Sequence, residues 1–129
     1  MHRALELHDS EVESISVEGP RLIVRFSNAY IHQSEGHPGV TPGDVFLQSA
    51  ELVFSDVNPL VAAHARGALL QGVVAINESE FSMLPLPFQR QGQVNATFVF
   101  SSGERVRVEA RSVDCSLIGK ARWLEKYDG

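Results

Sequence analysis

Apolar and polar residues alternate at every second position over several stretches of the chain, the pattern of strands with one buried face. The best example lies near the N-terminus, where Leu22, Val24 and Phe26 fall on one side and Arg25 on the other. Tyr30 continues the apolar side. We therefore predict a half-buried strand in this stretch.

A second strand is predicted over residues 11–18, and Gly19 and Pro20 supply the turn of a hairpin between the two. The apolar phase shifts between Val12 and Ile15. Such a shift indicates either a β-bulge or a strand that is buried on both sides at one end.

Alternation continues through the rest of the chain. Residues 46–54 are apolar on both sides, which predicts a central strand. The clearest hairpin has a Ser-Ser-Gly turn at residues 101–103, flanked by two runs of inward positions, Val94, Ala96, Phe98 and Phe100 before it and Val106, Val108 and Ala110 after it. Val113, Cys115 and Leu117 continue the inward pattern, and Ala121 and Trp123 indicate a last strand or a short terminal helix.

Three stretches break the alternation. Asn58 and Pro59 are typical of a helix start, so residues 59–67 form either a short helix or an irregular loop. Glycine and proline make residues 35–43 a loop. Prolines at alternate positions keep residues 83–88 extended, as an edge strand or a crossing segment.

These elements predict one all-β domain over residues 1–129, an antiparallel β-sandwich or partly closed barrel with at most one short helix. The length agrees, because 129 residues and 14.2 kDa are the size of a single domain. A doubly wound α/β fold would require helices between the strands, and the pattern contains none.

The net charge of −5 is unevenly distributed. Residues 1–80 carry eleven acids and four bases, whereas residues 81–129 carry five acids and seven bases. An acidic chain disfavours nucleic-acid binding, which depends on clustered Lys and Arg. No apolar run is long enough to span a membrane, and the polar N-terminus does not resemble a secretory signal, so we expect a cytoplasmic protein without membrane contact.

One basic cluster is present. Arg105, Arg107 and Arg111 occupy alternate positions of a predicted strand together with Glu109. The cluster is either a solvated sheet face or a patch for an acidic protein or small anion, with Arg107 at its centre.

Two histidines and a carboxylate suggest a metal site. His32 ends a strand, and Glu35 and His37 lie in the following loop, from where the three side chains can converge on a divalent cation. The alternative is that they are surface residues of a loop. No nucleotide-binding glycine motif occurs, and we expect no cofactor.

Two further features resemble catalytic groups. His8, Asp9 and Ser10 contain the residue types of a hydrolase triad, but adjacent side chains of an extended chain point to opposite faces. We expect Asp9 and Ser10 to hydrogen-bond nearby backbone amides at the entry to the first strand instead. Cys115, the only cysteine, is expected to be a buried apolar residue rather than a nucleophile.

The segment 83–88 is the candidate for recognition. Leu84, Leu86 and Phe88 share one side of an extended stretch. They either fill the open end of the protein's own core or dock with another chain.

Short motifs along most of the chain carry a family resemblance. They are Leu7-His8-Asp9-Ser10, Leu22-x-Val24-x-Phe26, Leu84-Pro85-Leu86-Pro87-Phe88, Gly92-x-Val94 and Phe100-x-x-Gly103. In these the chain resembles small bacterial β-rich proteins with an N-terminal HDS signature. Some similar families are catalogued as candidate immunity proteins of contact-dependent toxin systems. The resemblance implies a protein partner and brings no catalytic residues.

Because no catalytic set converges in the sequence, we expect a bacterial binding module rather than an enzyme. It engages a protein partner or associates with itself as a homo-oligomer through an exposed strand edge. The alternative is a small-ligand or metal-dependent enzyme with its site near His32 and His37.

Overall fold

The computed structural model describes residues 1–58 and 64–129. The described residues form eight strands, which are β1 (His2–Glu18), β2 (Arg21–Ser34), β3 (Gly43–Ser55), β4 (Gly67–Ile76), β5 (Ser79–Phe81), β6 (Met83–Leu86), β7 (Phe88–Phe100) and β8 (Arg105–Tyr127). Every pairing between them is antiparallel. The predicted all-β antiparallel fold is confirmed.

The strands follow the order β5-β4-β7-β8-β3-β2-β1-β6. A short additional pairing, in which Glu11 and Val12 of β1 meet Ala68 and Gly67 of β4, joins six of them into a ring. β5 and β6 are attached outside this ring to β4 and β1. The ring closes around the core, so the molecule has a single apolar interior.

The stretch predicted as helix or loop, residues 59–67, lies mostly outside the described residues. Residues 64–66 adopt no regular structure, and Gly67 already begins β4. Among the described residues, no helix is long and apolar enough to cross a membrane.

Of the two explanations for the phase shift in the first strand, the structure shows the β-bulge, because the β1–β2 register shifts between Val12 and Ser14. A second irregularity was not predicted. The β2–β3 register shifts between Phe26 and Ala29, so the buried side of β2 changes phase there. Ala29 and Ile31 are buried, and Tyr30, predicted on the Phe26 side, is only half-buried. A bulge adds one residue and therefore reverses every side chain beyond it.

Five phenylalanines from three strands form the centre of the core and are fully buried, namely Phe26, Phe54, Phe88, Phe98 and Phe100. Phe54 and Phe98 meet edge to face with 6.2 Å between ring centroids. The predicted hairpin between Phe100 and Arg105 joins β7 to β8, with Gly103 at positive φ. The central position predicted for residues 46–54 is also correct, since β3 pairs with both β2 and β8.

The last strand is not a separate element. β8 runs without interruption over 23 residues, from Arg105 to Tyr127, and leaves no terminal helix. Its side chains alternate between buried and exposed only as far as Val113. Trp123 belongs to this strand, in agreement with the first of the two predictions for it, and is 58% exposed.

Candidate functional site

The two edges of β8 are covered to different extents. β7 pairs with β8 only as far as the pair of Phe88 with Cys115, whereas β3 pairs with it from Ser112 to Tyr127. Within the ranges 1–58 and 64–129, no strand pairs with the other edge of residues 116–127. We call this 12-residue stretch of β8 the free edge. Its main-chain groups that do not face β3 are open to hydrogen bonding.

Large apolar side chains are exposed along the free edge. Ile118 is 44% exposed, Trp123 58% and Leu124 38%. Trp123 lies opposite Phe46 of β3, and its indole Nε1 donates a hydrogen bond to Asp44 Oδ1 at 3.1 Å. This bond orients the indole while leaving most of its surface exposed. Trp is also one of the residue types enriched among the anchors of protein interfaces.

The free edge is positively charged on an acidic protein. It carries Lys120, Arg122 and Lys126 against one acid, Glu125, a net +2, so the rest of the chain carries −7. Arg122 donates to Asn28 Oδ1 at 2.7 Å, which fixes the guanidinium at the surface.

A local irregularity shapes the free edge. Gly119 has a φ of +72°, and the β3–β8 register shifts at this point, between the positions of Leu47 and Ser49. Gln48 Nε2 donates to the Gly119 carbonyl at 2.8 Å and holds the bulge on β3. Bulges twist a strand locally, and this one lies four residues beyond Cys115, the last residue of β8 that pairs with β7.

β6 and β8 diverge at the start of the free edge. Leu86 of β6 pairs with Arg3 of β1, whereas Phe88, two residues later, pairs with Cys115 of β8. The chain therefore passes from one strand to the other at Pro87. We call the opening between β6 and residues 116–127 of β8 the notch.

The core is incompletely covered at the notch. Phe46, Leu86, Cys115 and Leu117 pack against the core but remain only partly buried. All four lie on the strands that border the notch or directly behind it, on β3, β6 and β8. Apolar surface of the interior thus continues outward onto the free edge.

The predicted recognition residues of segment 83–88 lie elsewhere than expected. Leu84 and Phe88 are fully buried in the protein's own core, and Leu86 is half-buried at the notch. Direct partner contact through Leu84 and Phe88 would require the fold to open, so they act as core residues. Arg107 is exposed on the outer face of β8, opposite Thr97 of β7.

A second feature is a cavity of about 250 Å³ on the outer face of the sheet. Its lining residues are Glu6, Asp9, Tyr30, His32, Gly39, Val45, Met83, Glu125 and Tyr127. His32 Nε2 is hydrogen-bonded to Glu6 Oε2 at 2.9 Å, and the Tyr127 ring meets the imidazole edge-on at 5.2 Å. Among the described residues, His32 Nδ1 has no hydrogen-bond partner. A carboxylate beside an imidazole is an arrangement that can orient a general base.

The predicted metal set does not assemble. His32 is buried against Glu6, whereas Glu35 and His37 are exposed in the loop and do not line the cavity. Across the described parts of the chain, no group of three or more His, Cys, Asp or Glu side chains is placed to hold a metal ion. The His32 imidazole is therefore paired with the carboxylate of Glu6, which is 26 residues away in the sequence, and not with Glu35 or His37 of the adjoining loop.

The HDS segment has a structural role within β1. Ser10 is fully buried, donates to the Glu6 carbonyl and accepts a hydrogen bond from the Tyr30 amide at 3.0 Å. Ser10 therefore bonds a nearby carbonyl and the amide of a neighbouring strand, inside β1, rather than the nearby amides predicted at the entry to the strand. Asp9 adopts a φ of +69°. Its Oδ2 lies 3.2 Å from His8 Nδ1, and both side chains are exposed.

Cys115 packs against the core, as predicted for an apolar cysteine. Burial raises the pKa of its thiol to about 12. The thiolate, which is the nucleophilic form, is therefore scarce at neutral pH.

The chain matches no protein-family model, no curated protein and no solved structure. The geometry of the free edge and of the cavity therefore carries the functional argument. The exposure of Trp123 and Leu124 was missed from sequence because an apolar residue in a strand gives the same pattern whether or not a neighbouring strand covers it. The one available signal was the basic excess after residue 80.

Proposed function

We propose that this protein is a binding module that holds an extended segment of a partner protein along the free edge of β8. The observation that carries the proposal is the 12-residue run, 116–127, that β3 covers on one side only. A segment added there makes main-chain hydrogen bonds along its length, and side chains give the specificity. At ~3.3 Å per residue, the run offers a contact close to 40 Å long.

Charge favours a different protein over a second copy as the partner. If two copies paired along this edge as regular antiparallel strands, a two-fold axis would relate them. Residues opposite each other would point to the same face of the sheet, so the axis would lie at a residue that is opposite its own copy. An axis at residue 121 places Lys120 opposite Arg122, and an axis at residue 122 places Arg122 opposite its own copy. An axis at residue 123 places Lys120 opposite Lys126, and an axis at residue 124 places Arg122 opposite Lys126. Each register sets cation against cation, which is destabilising.

The resemblance is to small bacterial β-rich proteins with an N-terminal HDS signature. Some similar families are catalogued as candidate immunity proteins, which supports the same class of function. An immunity protein works by binding its toxin, and it needs a contact surface rather than a catalytic set. A toxin-like product of a neighbouring gene is therefore the first partner to test.

Hydrogen exchange tests the proposal. The product of such a neighbouring gene is mixed with this protein, and amide exchange is measured in the free and bound states. We expect amides within residues 116–127 that do not bond to β3 to exchange fast in the free protein and at least tenfold more slowly in the complex.

The matched variants are Lys120→Glu with Arg122→Glu on the free edge and Arg107→Glu on the covered part of β8. Only the first pair should weaken the complex. Protection confined to other strands would contradict the proposal. So would a particle of twice 14.2 kDa in light scattering that dissociates in the free-edge variant, because the occupant would then be a second copy.

A second candidate function is small-molecule binding in the cavity around His32, favoured by the buried pair of His32 with Glu6. Thermal unfolding with zinc, nickel or a small-molecule library tests it. A rise in melting temperature that disappears in His32→Ala would support the cavity as a ligand site. Unchanged melting with every compound would oppose it.

A further inference from the structure

We infer that the segment held by the free edge alternates apolar and acidic side chains, and that its apolar side covers the core at the notch. This inference rests on the proposed function and adds the chemistry of the partner. It follows from which residues share each face of the outer part of β8.

Between Leu117 and Trp123 the core-facing side of the sheet is apolar, and beyond it Lys126 pairs with Asp44 on the same side. Trp123 pairs with Phe46, and Leu117 pairs with Ala50. Phe46 and Ala50 are an even number of residues apart on β3, so both face the core. A strand added beside β8 would therefore direct every second side chain toward Trp123, Leu117 and Phe46.

Over residues 118–122 the opposite side of the same strands is basic, and the acid of the free edge, Glu125, pairs with Val45 further along that side. Arg122 pairs with Leu47, which alternates with Phe46 and so faces away from the core. The side chain of Arg122 is held there by Asn28. Lys120 is exposed at the adjoining bulge. The remaining side chains of an added strand would face these two cations.

The notch explains why the partner must supply apolar groups. On the other side of Pro87, β7 covers the edge of β8, and the core residues there are fully buried. At the notch, no strand of the described residues pairs with β8 where β7 would continue. Leu86 and Leu117 remain partly exposed there. An alternating strand would bury this apolar surface, which is favourable by ~25 cal/mol per Å².

Synthetic peptides of nine residues test the inference. One alternates Val and Glu, a second alternates Val and Lys, and a third has the Val and Glu composition in blocks. Trp123 is the only tryptophan of the chain and is exposed, so its emission reports binding at the free edge directly.

We expect the alternating acidic peptide to shift the Trp123 emission to shorter wavelength and to protect the indole from acrylamide. It should bind at least tenfold more tightly than either other peptide, and more weakly as salt is raised. Lys120→Glu with Arg122→Glu should abolish the difference between the acidic and the basic peptide. Arg107 is an exposed cation on the covered part of β8, and Arg107→Glu should leave the difference between the two peptides unchanged.

Equal binding of the Val and Lys peptide would overturn the charge assignment, and equal binding of the block peptide would overturn the extended, alternating geometry. If no peptide binds while a natural partner still protects residues 116–127 from exchange, this inference fails and the proposed function stands. If the natural partner protects other strands instead, the proposed function itself fails.

Discussion

The two parts of β8 differ although they belong to one continuous strand. In residues 105–115, the inward side chains Val106, Val108, Ala110 and Val113 are buried. In residues 116–127, no side chain is buried, and a tryptophan is exposed. The difference lies in the neighbours, because β7 pairs with the first part only and begins at Phe88, opposite Cys115.

This comparison separates stability from recognition within the molecule. The first part of β8 belongs to the ring and contributes to its core, whereas the second part is attached through β3 alone. Opening of a strand with few buried contacts costs less free energy than opening of the core. The outer part of β8 can therefore adapt to a partner while the ring stays folded.

The largest expected effect concerns Cys115, at the boundary between the two parts. Its pKa is raised to about 12 from the ordinary 9.0, which lowers the thiolate fraction at pH 8 about a thousandfold. Labelling by a disulfide reagent at pH 8 should therefore be slower in the native protein by about that factor than in urea. Equal rates would mean that the core is open at the notch.

The same shift predicts the direction of a pH effect on stability. Between pH 9 and 12 the unfolded chain loses the Cys115 proton while the folded chain retains it. The contribution of this group to the free energy of unfolding should thus fall as pH rises through that window. In Cys115→Ala the free energy of unfolding, measured by urea denaturation, should depend less on pH in this window. An unchanged pH dependence would contradict the raised pKa of Cys115.

Phe98→Ala tests the ring to which the covered part of β8 belongs. Phe98 is fully buried against Phe54, so its removal leaves a cavity in the ring. We expect the free energy of unfolding to fall by ~3–5 kcal/mol, measured by urea denaturation. A loss below ~1 kcal/mol would show that the ring, as described, does not hold the protein together.

A smaller effect is expected for Glu6→Ala in the cavity. The substitution leaves the buried imidazole of His32 without its hydrogen-bond partner. Such a change costs ~1–3 kcal/mol. The matched control is His8→Ala, which removes an exposed His–Asp contact and should alter the free energy of unfolding by less than ~0.5 kcal/mol. Equal effects of the two variants would argue against a buried pair.

The smallest effect on stability is expected at the free edge. Trp123→Ala removes a side chain that is 58% exposed, so we expect the free energy of unfolding to change by less than ~1 kcal/mol. Partner binding, measured by calorimetry, should instead weaken at least tenfold, as for an interface anchor. A variant that unfolds readily but still binds would reverse the division of roles between the two parts of β8.

Several features of the fold could be predicted from the sequence because they depend on local geometry. A strand turns successive side chains to opposite faces, so alternation alone identified the hairpin at residues 101–103 and its buried residues. The bulge near Val12 was visible as a change of phase. The bulge after Phe26 was not, since Tyr30 continued the apolar pattern without being part of the core.

The sequence by itself determined that this chain forms antiparallel strands, because the period of its apolar residues is a property of the backbone. Only the tertiary structure decided which strand edges are covered and which distant side chains meet. His32 meets Glu6 rather than His37, and Trp123 remains exposed although it alternates as Val108 does. Burial and pairing depend on where β6 and β7 pass in three dimensions, and no local pattern in β8 records that path.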